Sequence, residues 1–239
     1  MAAYLKPTKA TTLNGVVVNE YLLTKNNPLK IAMPQKRTKP LLGVTIHNTN
    51  WIKVNSATTP SEQYTRATVN GNMGDVRVHF YVDDKCAWQN LPLDWCNWSC
   101  ADGQGSGNTQ TIAIECIMGG TAQQDKKSRE NAVRLIAYLL KLNGLCIDNL
   151  YTHTHWLNVR DGKKGTVDYL NTLKHPYKVC PAFFIPDWDN FKGEVAKCLV
   201  DESKKLYRIQ IGAYSKKENA EKRLLEVKKN YPDAFIKVE

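Results

Sequence analysis

The stretch LLGVTIHNTN, residues 41–50, joins an apolar run to a polar end that starts with a histidine. The run up to Ile46 predicts a buried strand, and turn-like polar residues follow it. A histidine at the end of a strand is held by the sheet and still faces a cleft, so His47 is a candidate metal ligand. Taken alone, this stretch fits equally well a histidine that is buried in the core with its hydrogen bonds satisfied.

Two distant residues complete a set of metal-binding side chains with His47. His153 follows a short apolar run, and Cys180 lies in the sequence KVCP at 178–181. No cysteine lies close to Cys180 in the sequence, which favours a thiolate ligand over a disulfide. Two imidazoles and one thiolate leave one corner of a zinc tetrahedron open, which is typical of catalytic rather than structural zinc sites. If the three residues converge in space, a water bound to that metal is a nucleophile for hydrolysis.

The second position of this set has two candidates. His155 lies two residues after His153, and in an extended strand such residues point to the same side. The spacing therefore leaves both histidines open as the ligand. A further metal pair at Cys96 and Cys100 is disfavoured, because no matching histidine or cysteine pair follows it. We expect the six cysteines other than Cys180 to be buried as small apolar side chains.

Two charged residues are candidates for the catalytic chemistry. The run TIAIE at 111–115 predicts a short strand that ends in Glu115. A carboxylate beside a zinc-activated water can act as general base. Lys178 lies two residues before Cys180 on the same side of an extended chain, and its ammonium group can stabilise an oxyanion. Without Cys180 nearby, Lys178 would read as an ordinary surface lysine.

The composition narrows the range of partners. The 239 residues carry a formal net charge of +10, and 42% of them are hydrophobic. That hydrophobic content can form a packed core, and the positive charge suits anionic cell-wall polymers. No stretch is uniformly basic, so we expect no nucleic-acid partner. Nothing approaches the roughly 18 consecutive apolar residues of a spanning helix, so we expect no membrane span.

The cysteine count and the N-terminal sequence bear on the compartment. The first residues lack the apolar segment of a secretory signal peptide. The seven cysteines are an odd number without paired spacing, which fits a reducing compartment. We therefore expect synthesis in a host cytoplasm without a signal peptide.

Strand and helix signals alternate along most of the chain. Predicted strands cover residues 15–23, 41–46, 76–82 and 111–115, and predicted helices cover about 59–70, 126–143 and 187–198. Residues 94–110 are predicted to form a long surface loop. This alternation predicts an α/β fold with a central β-sheet flanked by helices.

The last 39 residues have a different pattern. Residues 201–205 are a hydrophilic linker, and residues 206–239 predict a strand, a helix and a second strand. Ser215 and Glu218 have the spacing of a capping box at the start of that helix. We therefore expect a catalytic domain at 1–200 and a small βαβ module at 206–239.

A set of short motifs resembles a known enzyme family. They are IHNT at 46–49, VHFYVDD at 78–84, NWSCADGQGSGN at 97–108, TIAIE at 111–115, THTHW at 152–156 and KVCP at 178–181. Together they resemble the zinc-dependent N-acetylmuramoyl-L-alanine amidases of the amidase-2 group, which are related to phage lysozyme-amidases and to peptidoglycan recognition proteins. The resemblance covers residues from about 15 to 198, and it implies a mainly mixed central sheet flanked by helices.

The resemblance also implies roles for individual residues. His47, His153 and Cys180 match the three zinc ligands, and His153 matches the second better than His155 does. Glu115 matches the glutamate that closes the family's apolar strand, and Lys178 matches the lysine two positions before the third ligand. Such enzymes cleave the amide between N-acetylmuramic acid and the L-alanine of the stem peptide.

The sequence departs from the family pattern at two places. Members commonly have Trp-His-Ala before the Asp-Gly loop, whereas Trp98 is followed here by Ser99 and Cys100. A tyrosine often precedes the histidine of the central strand, and Val78 stands at that position. Neither departure removes a ligand, and both concern finer contacts of the site. Residues 160–175 form an inserted loop that we expect to shape the groove.

The tail LYRIQIGAYSKKENAEKRLLEV at 206–227 resembles a SPOR module, which binds peptidoglycan. That module normally has two βαβ halves, and only the first is recognisable here. One such half buries little core by itself. We therefore expect two chains to pair their halves, which makes the protein a homodimer.

These observations favour a peptidoglycan hydrolase with a wall-binding tail, an N-acetylmuramoyl-L-alanine amidase of the phage endolysin or autolysin type. Its partner and substrate is bacterial peptidoglycan, and its cofactor is Zn²⁺. It would act on the bacterial cell wall after release from the cytoplasm. The alternative is a non-catalytic peptidoglycan-recognition protein of the same fold. A zinc-stabilised nucleic-acid-binding protein would need a closed four-ligand site and a basic stripe, and the sequence has neither.

Overall fold

The computed structural model describes residues 5–24, 27, 29–54, 57–170, 179–199, 211–232 and 234–236. The chain divides into two compact units, Met1–Val200 and Asp201–Glu239.

The first unit is built on a mixed sheet. Its seven described strands are β1 (Lys9–Leu13), β2 (Val16–Glu20), β3 (Gly43–Asn50), β4 (Phe80–Val82), β5 (Ala87–Gln89), β6 (Thr111–Met118) and β7 (Leu150–Thr152), in the order β1-β2-β5-β4-β6-β3-β7. The pairs β1·β2 and β4·β5 are antiparallel, and the other four pairs are parallel. The predicted α/β class with a mixed sheet is confirmed.

Helices pack on this sheet. The described helices of the first unit are α1 (Pro60–Val69), α2 (Ser106–Gln110), α3 (Ala122–Leu142), α4 (His153–Arg160) and α5 (Trp188–Leu199), with 3-10 turns at Ile147–Asn149 and Ile185–Asp187. In the part of the chain that the structure describes, no helix has the length and apolar character needed to cross a bilayer.

The central strands have two different faces. Side chains alternate along β3 and β6, so Val44, Ile46, Ile112 and Ile114 share the face that packs into the main core with the apolar residues of α3. The intervening residues, His47 and Glu115 among them, face the opposite side. A smaller cluster of Val78, Tyr81, Ala113 and Ile117 forms on that side. The candidate site therefore lies on the face away from α3.

The sequence predicts the type and the approximate position of α1 and α3. Thr59 caps α1 by accepting a hydrogen bond from the Glu62 backbone N–H at 3.2 Å, as its sequence pattern predicts. The helix predicted from residue 126 begins earlier, at Ala122, because Thr121 and Gln124 form a reciprocal capping box.

Several predicted boundaries are wrong. β3 and β6 run three residues past His47 and Glu115, since the two strands pair in register up to Asn50 and Met118. The strand predicted at 76–82 is regular only from Phe80, because its earlier part joins the 94–110 segment through an isolated bridge between Arg77 and Trp98.

The predictions for the 94–110 segment and for the N-terminal arm also need correction. The segment is no surface loop, because Asn97 and Cys100 are fully buried within it and α2 ends it. The N-terminal arm contains β1 as well as β2. A tight turn joins them at Asn14 and Gly15, which have φ values of 47° and 81°.

The cysteines are only partly as expected. Cys86, Cys96, Cys100 and Cys116 are buried, whereas Cys146 and Cys198 are exposed. Cys146 lies in the connection after α3, and Cys198 lies in the last turn of α5.

The second unit contains the helix α6 (Lys217–Lys228). Its N-cap is Lys216, without a side-chain cap, so the predicted capping box of Ser215 and Glu218 does not form. None of its residues is buried. The predicted flanking strands fall mostly on residues 207–210 and 237–239, which lie outside the described residues.

Candidate functional site

His47, His153 and Cys180 converge at one place. One ligand atom from each lies within 4.8 Å of those of the other two. The imidazole centroids are 4.7 Å apart, and the Cys180 Sγ lies 3.9 Å from the His47 Nδ1. The two histidines are 1% and 3% exposed, whereas Cys180 is partly exposed, so two of the three side chains are buried and the third is open to solvent.

Strand pairing places the two histidines beside each other. Ile46 of β3 pairs with Thr152 of β7, so the next residues of the two strands, His47 and His153, are neighbours. The chain then turns into α4 immediately, because Thr152 caps the helix by accepting from the His155 N–H at 3.0 Å. His153 is therefore the first residue of a helix, and not the last residue of a strand.

Three hydrogen bonds with Thr154 hold Cys180 against α4. The Thr154 hydroxyl donates to the Cys180 carbonyl at 3.1 Å and accepts from the Cys180 N–H at 3.0 Å. The Thr154 N–H donates to the same carbonyl at 3.0 Å. These bonds tie a residue 26 positions away to the helix that carries the second histidine.

The helical start of α4 separates His155 from the group. Residues two apart on an α-helix point about 200° apart, so His155 faces away from His153. Its ring packs against Tyr151 and Trp156, with centroids 4.9 and 4.6 Å away. Burial lowers its pKa, which favours a neutral aromatic packing role. Among the described residues, the converging set contains His153 and not His155.

Glu115 lies next to His47 on the neighbouring strand. The two residues are direct partners in the parallel pairing of β3 with β6, and their side chains are on the same face. Tyr81 of β4 is the partner of Glu115 on the other side. Burial raises the pKa of Tyr81 well above its ordinary value, while a hydrogen bond with Thr68 lowers it and the Glu115 charge raises it further. Tyr81 is therefore a neutral neighbour of this carboxylate.

Lys178, the other residue predicted to take part in catalysis, lies outside the described residues.

Three polar residues near the group were not identified from the sequence. The Ser99 Oγ and the Cys100 Sγ lie 3.2 and 3.8 Å from the His47 Nε2. Asn97 accepts from the Ser99 hydroxyl at 2.7 Å. Burial raises the pKa of Cys100 well above its ordinary value, so this thiol stays neutral. The one sequence signal for this cluster is the departure after Trp98, where serine and cysteine follow instead of histidine and alanine.

The donor set fits a metal ion. Imidazole and thiolate donors suit zinc among the common ions, and three protein donors leave a coordination position for water or substrate. Cys96 and Cys100, weighed as a separate pair, form no such group with other donors in the described part of the chain.

Two known protein families match parts of this chain. Residues 37–182, more than half of the chain, match the family model described as N-acetylmuramoyl-L-alanine amidase. Residues 191–238 match the SPOR domain model, and this match begins inside α5, ahead of the boundary expected at residue 206.

Curated relatives and solved structures are similar over much of the same region. The N-acetylmuramoyl-L-alanine amidase XlyA of Bacillus subtilis is 32% identical over 117 residues, which are 49% of this chain and 33% of XlyA. CwlA of the same organism is 30% identical over 145 residues, which are 60% of this chain and 47% of CwlA. The structure of the XlyA catalytic domain superimposes with a TM-score of 0.55 at 25% identity, covering 74% of this chain and 98% of that domain. The chain thus spans a third to a half of the length of these curated relatives.

Proposed function

The chain belongs to the N-acetylmuramoyl-L-alanine amidase family, and on that premise we propose that it is a peptidoglycan hydrolase. It cleaves the amide bond between N-acetylmuramic acid and the L-alanine of the stem peptide. The observation that carries this proposal is the convergence of His47, His153 and Cys180 beside the carboxylate of Glu115.

In this proposal the three converging residues hold zinc. The two imidazoles and the thiolate are the donors that zinc prefers, and a set of three leaves room for the reacting groups. When bound there, the zinc ion supplies the Lewis acidity for attack of water on the amide carbonyl. The neutral packing of His155 leaves His153 as the second ligand.

Glu115 takes the proton of the attacking water and passes it to the departing amino group of L-alanine. Its place beside His47 puts a carboxylate on the same face as the proposed ligands. Lys178 stabilises the negative charge that develops on the carbonyl oxygen. For Lys178 the support is the sequence motif around Cys180.

We further propose that the protein is an endolysin that acts on the bacterial cell wall. The net charge of +10 favours adsorption to anionic wall polymers. The SPOR match supports a wall-binding tail. We place the catalytic domain at 1–200, a linker at 201–205 and the wall-binding module at 206–239. This layout suits a bacteriophage endolysin, and a bacterial autolysin is the variant of the same proposal.

We also propose that two chains associate through the C-terminal unit. Among the described residues of this unit, Leu225 and Phe235 are both 70% exposed and Tyr231 is 64% exposed. A helix with no buried residue gains little from packing within its own unit, and an apolar surface of this kind favours association.

Digestion of purified peptidoglycan tests the proposed reaction. New amino termini and new reducing ends are both measured after incubation with the full chain. Amino termini that are identified as L-alanine, without new reducing ends, are the expected result. New reducing ends alone would make the protein a glycosidase. Binding to the wall without either product would favour the non-catalytic recognition protein.

A further inference from the structure

The two ring nitrogens of His47 face different surroundings. The Nδ1 faces the Cys180 Sγ at 3.9 Å, toward the converging group. The Nε2 faces the Ser99 hydroxyl at 3.2 Å. A neutral imidazole carries its proton on one nitrogen only, and a metal binds the nitrogen without the proton. The hydrogen bond that Nε2 makes with Ser99 therefore affects which nitrogen carries the proton, and so whether Nδ1 can bind a metal.

The orientation of the buried Asn97 amide is fixed by three backbone carbonyls. Its Nδ2 donates to the carbonyl oxygens of Gly107, Asn108 and Thr111 at 3.0, 3.2 and 3.0 Å. Carbonyl oxygens only accept, so the amino group must lie on that side and the Oδ1 on the other. The Asn97 Oδ1 accordingly accepts from the Ser99 N–H at 3.2 Å.

The same oxygen fixes the direction of the Ser99 hydroxyl. A serine hydroxyl has one proton, and the Ser99 Oγ donates it to the Asn97 Oδ1 at 2.7 Å. Only lone pairs of Oγ then remain for His47, so Ser99 accepts from the His47 Nε2–H. The Cys100 Sγ, at 3.8 Å from Nε2, is a weak acceptor and does not replace this bond.

We propose that Ser99, oriented by Asn97, is a positioning residue that selects the Nε2–H tautomer of His47 and so keeps the Nδ1 lone pair ready for the metal. This inference rests on the proposed function for the identity of the metal. A partner that fixes the tautomer of a ligand histidine typically changes metal affinity by about 10- to 100-fold.

Two measurements on the full chain test the proposal. The tautomer of His47 is read in the metal-free protein from two-bond ¹H–¹⁵N correlations of ¹⁵N-labelled histidine side chains. The zinc dissociation constant is measured by competition with a chelator. The variants are Ser99→Ala, which removes the acceptor, and Ser99→Thr, which keeps a hydroxyl. Ser106→Ala is the matched control, because the Ser106 hydroxyl bonds Gln110 instead.

The expected result is an Nε2–H tautomer for His47 in the parent. Ser99→Ala should mix the tautomers and weaken zinc binding about 10- to 100-fold. Ser99→Thr should retain most of the affinity, and Ser106→Ala should match the parent. An Nδ1–H tautomer in the parent overturns the proposal without any variant, as does an unchanged zinc affinity in Ser99→Ala. If the parent shows the Nε2–H tautomer and binds no zinc, the proposed function fails and the tautomer assignment stands.

Discussion

A substitution of Glu115 can separate an effect on the proposed catalytic step from an effect on metal binding. It is the strand partner of His47, yet it belongs to none of the three converging positions. The substitution Glu115→Gln keeps the shape of the side chain and removes the base. We expect zinc content to stay at the parental level and the rate of peptidoglycan cleavage to fall by about 10²- to 10⁴-fold, the usual contribution of general acid–base catalysis.

Zinc content and initial rate should be measured on the same preparation of this variant. Glu20→Gln is a suitable control, because Glu20 lies on β2, at a distance of four strands from β3 in the sheet order. Cleavage at the parental rate by Glu115→Gln would show that another group is the base.

His79 links the stability of the fold to pH. It is fully buried, and its Nδ1 accepts from the Ala113 N–H at 3.1 Å while its Nε2 lies 3.2 Å from the Trp95 carbonyl. Both contacts suit a neutral ring with its proton on Nε2. Burial above all, and the positive charge of Arg37, lower the pKa of His79 to about 3.

The sign of the pH effect follows from this lowered pKa. Between about pH 6.5 and pH 3 the unfolded chain binds a proton at His79 and the folded chain does not. The free energy of unfolding should therefore decrease as the pH falls through this window, by up to about 1.4 kcal/mol per pH unit from this group. Urea unfolding at several pH values measures it, and His79→Gln should have a shallower slope. Equal slopes for parent and variant would assign the effect to other groups.

At the scale of single residues, the sequence predicts a site residue when the signal comes from residues close to it in the chain. His47, Glu115 and Cys180 each lie in or next to a distinctive local run. Ser99 contacts His47 across 52 positions, and Trp156 donates to Thr45 across 111 positions at 2.7 Å. Such contacts depend on how strands and loops are assembled in space, and no local pattern encodes them.

At the scale of elements, α4 positions the second and third residues of the site, His153 and Cys180. It begins at His153 and holds Cys180 through the Thr154 hydroxyl. Thr154→Val preserves the shape of this buried side chain and leaves the Cys180 N–H without its acceptor. We expect a loss of about 1–3 kcal/mol in the free energy of unfolding, the cost of an unsatisfied buried polar group, together with weaker zinc binding.

Thr154→Ser is the matched control, since it keeps the hydroxyl. Urea unfolding and chelator competition should rank the parent and Thr154→Ser above Thr154→Val. Equal zinc affinity in Thr154→Val would mean that Cys180 is positioned by other contacts.

The start of α1 is predicted closely because Thr59, Pro60 and Glu62 lie within four residues of one another. The capping pattern of Ser215 and Glu218 is less informative, since α6 begins after Lys216 without a side-chain cap. The end of a strand depends on how far its neighbour continues, and β3 and β6 extend each other to Asn50 and Met118. The apolar run before His153 favours a strand that continues through this residue, whereas Thr152 is a good N-cap and starts α4 there.

At the scale of the whole molecule, the C-terminal unit predicts concentration-dependent association. If two copies pair through its exposed apolar side chains, the full chain should have the mass of a dimer by light scattering well above micromolar concentration. Leu225→Glu should shift that mass toward the monomer, because it places a charge on the proposed interface. The exposed Leu142→Glu, on α3 of the other unit, is the control. A monomer at every concentration would contradict the proposed pairing.

In the proposed function, His47, His153 and Cys180 form one open zinc site that cleaves the muramoyl–alanine bond. The most direct test measures zinc per chain and release of L-alanine amino termini from peptidoglycan, on the parent and on Cys180→Ser. We expect about one zinc per chain and steady release for the parent, as a three-ligand catalytic site requires. Cys180→Ser should lose zinc and activity together. Release of L-alanine termini at the parental rate by zinc-free Cys180→Ser would show that the reaction does not depend on this zinc site.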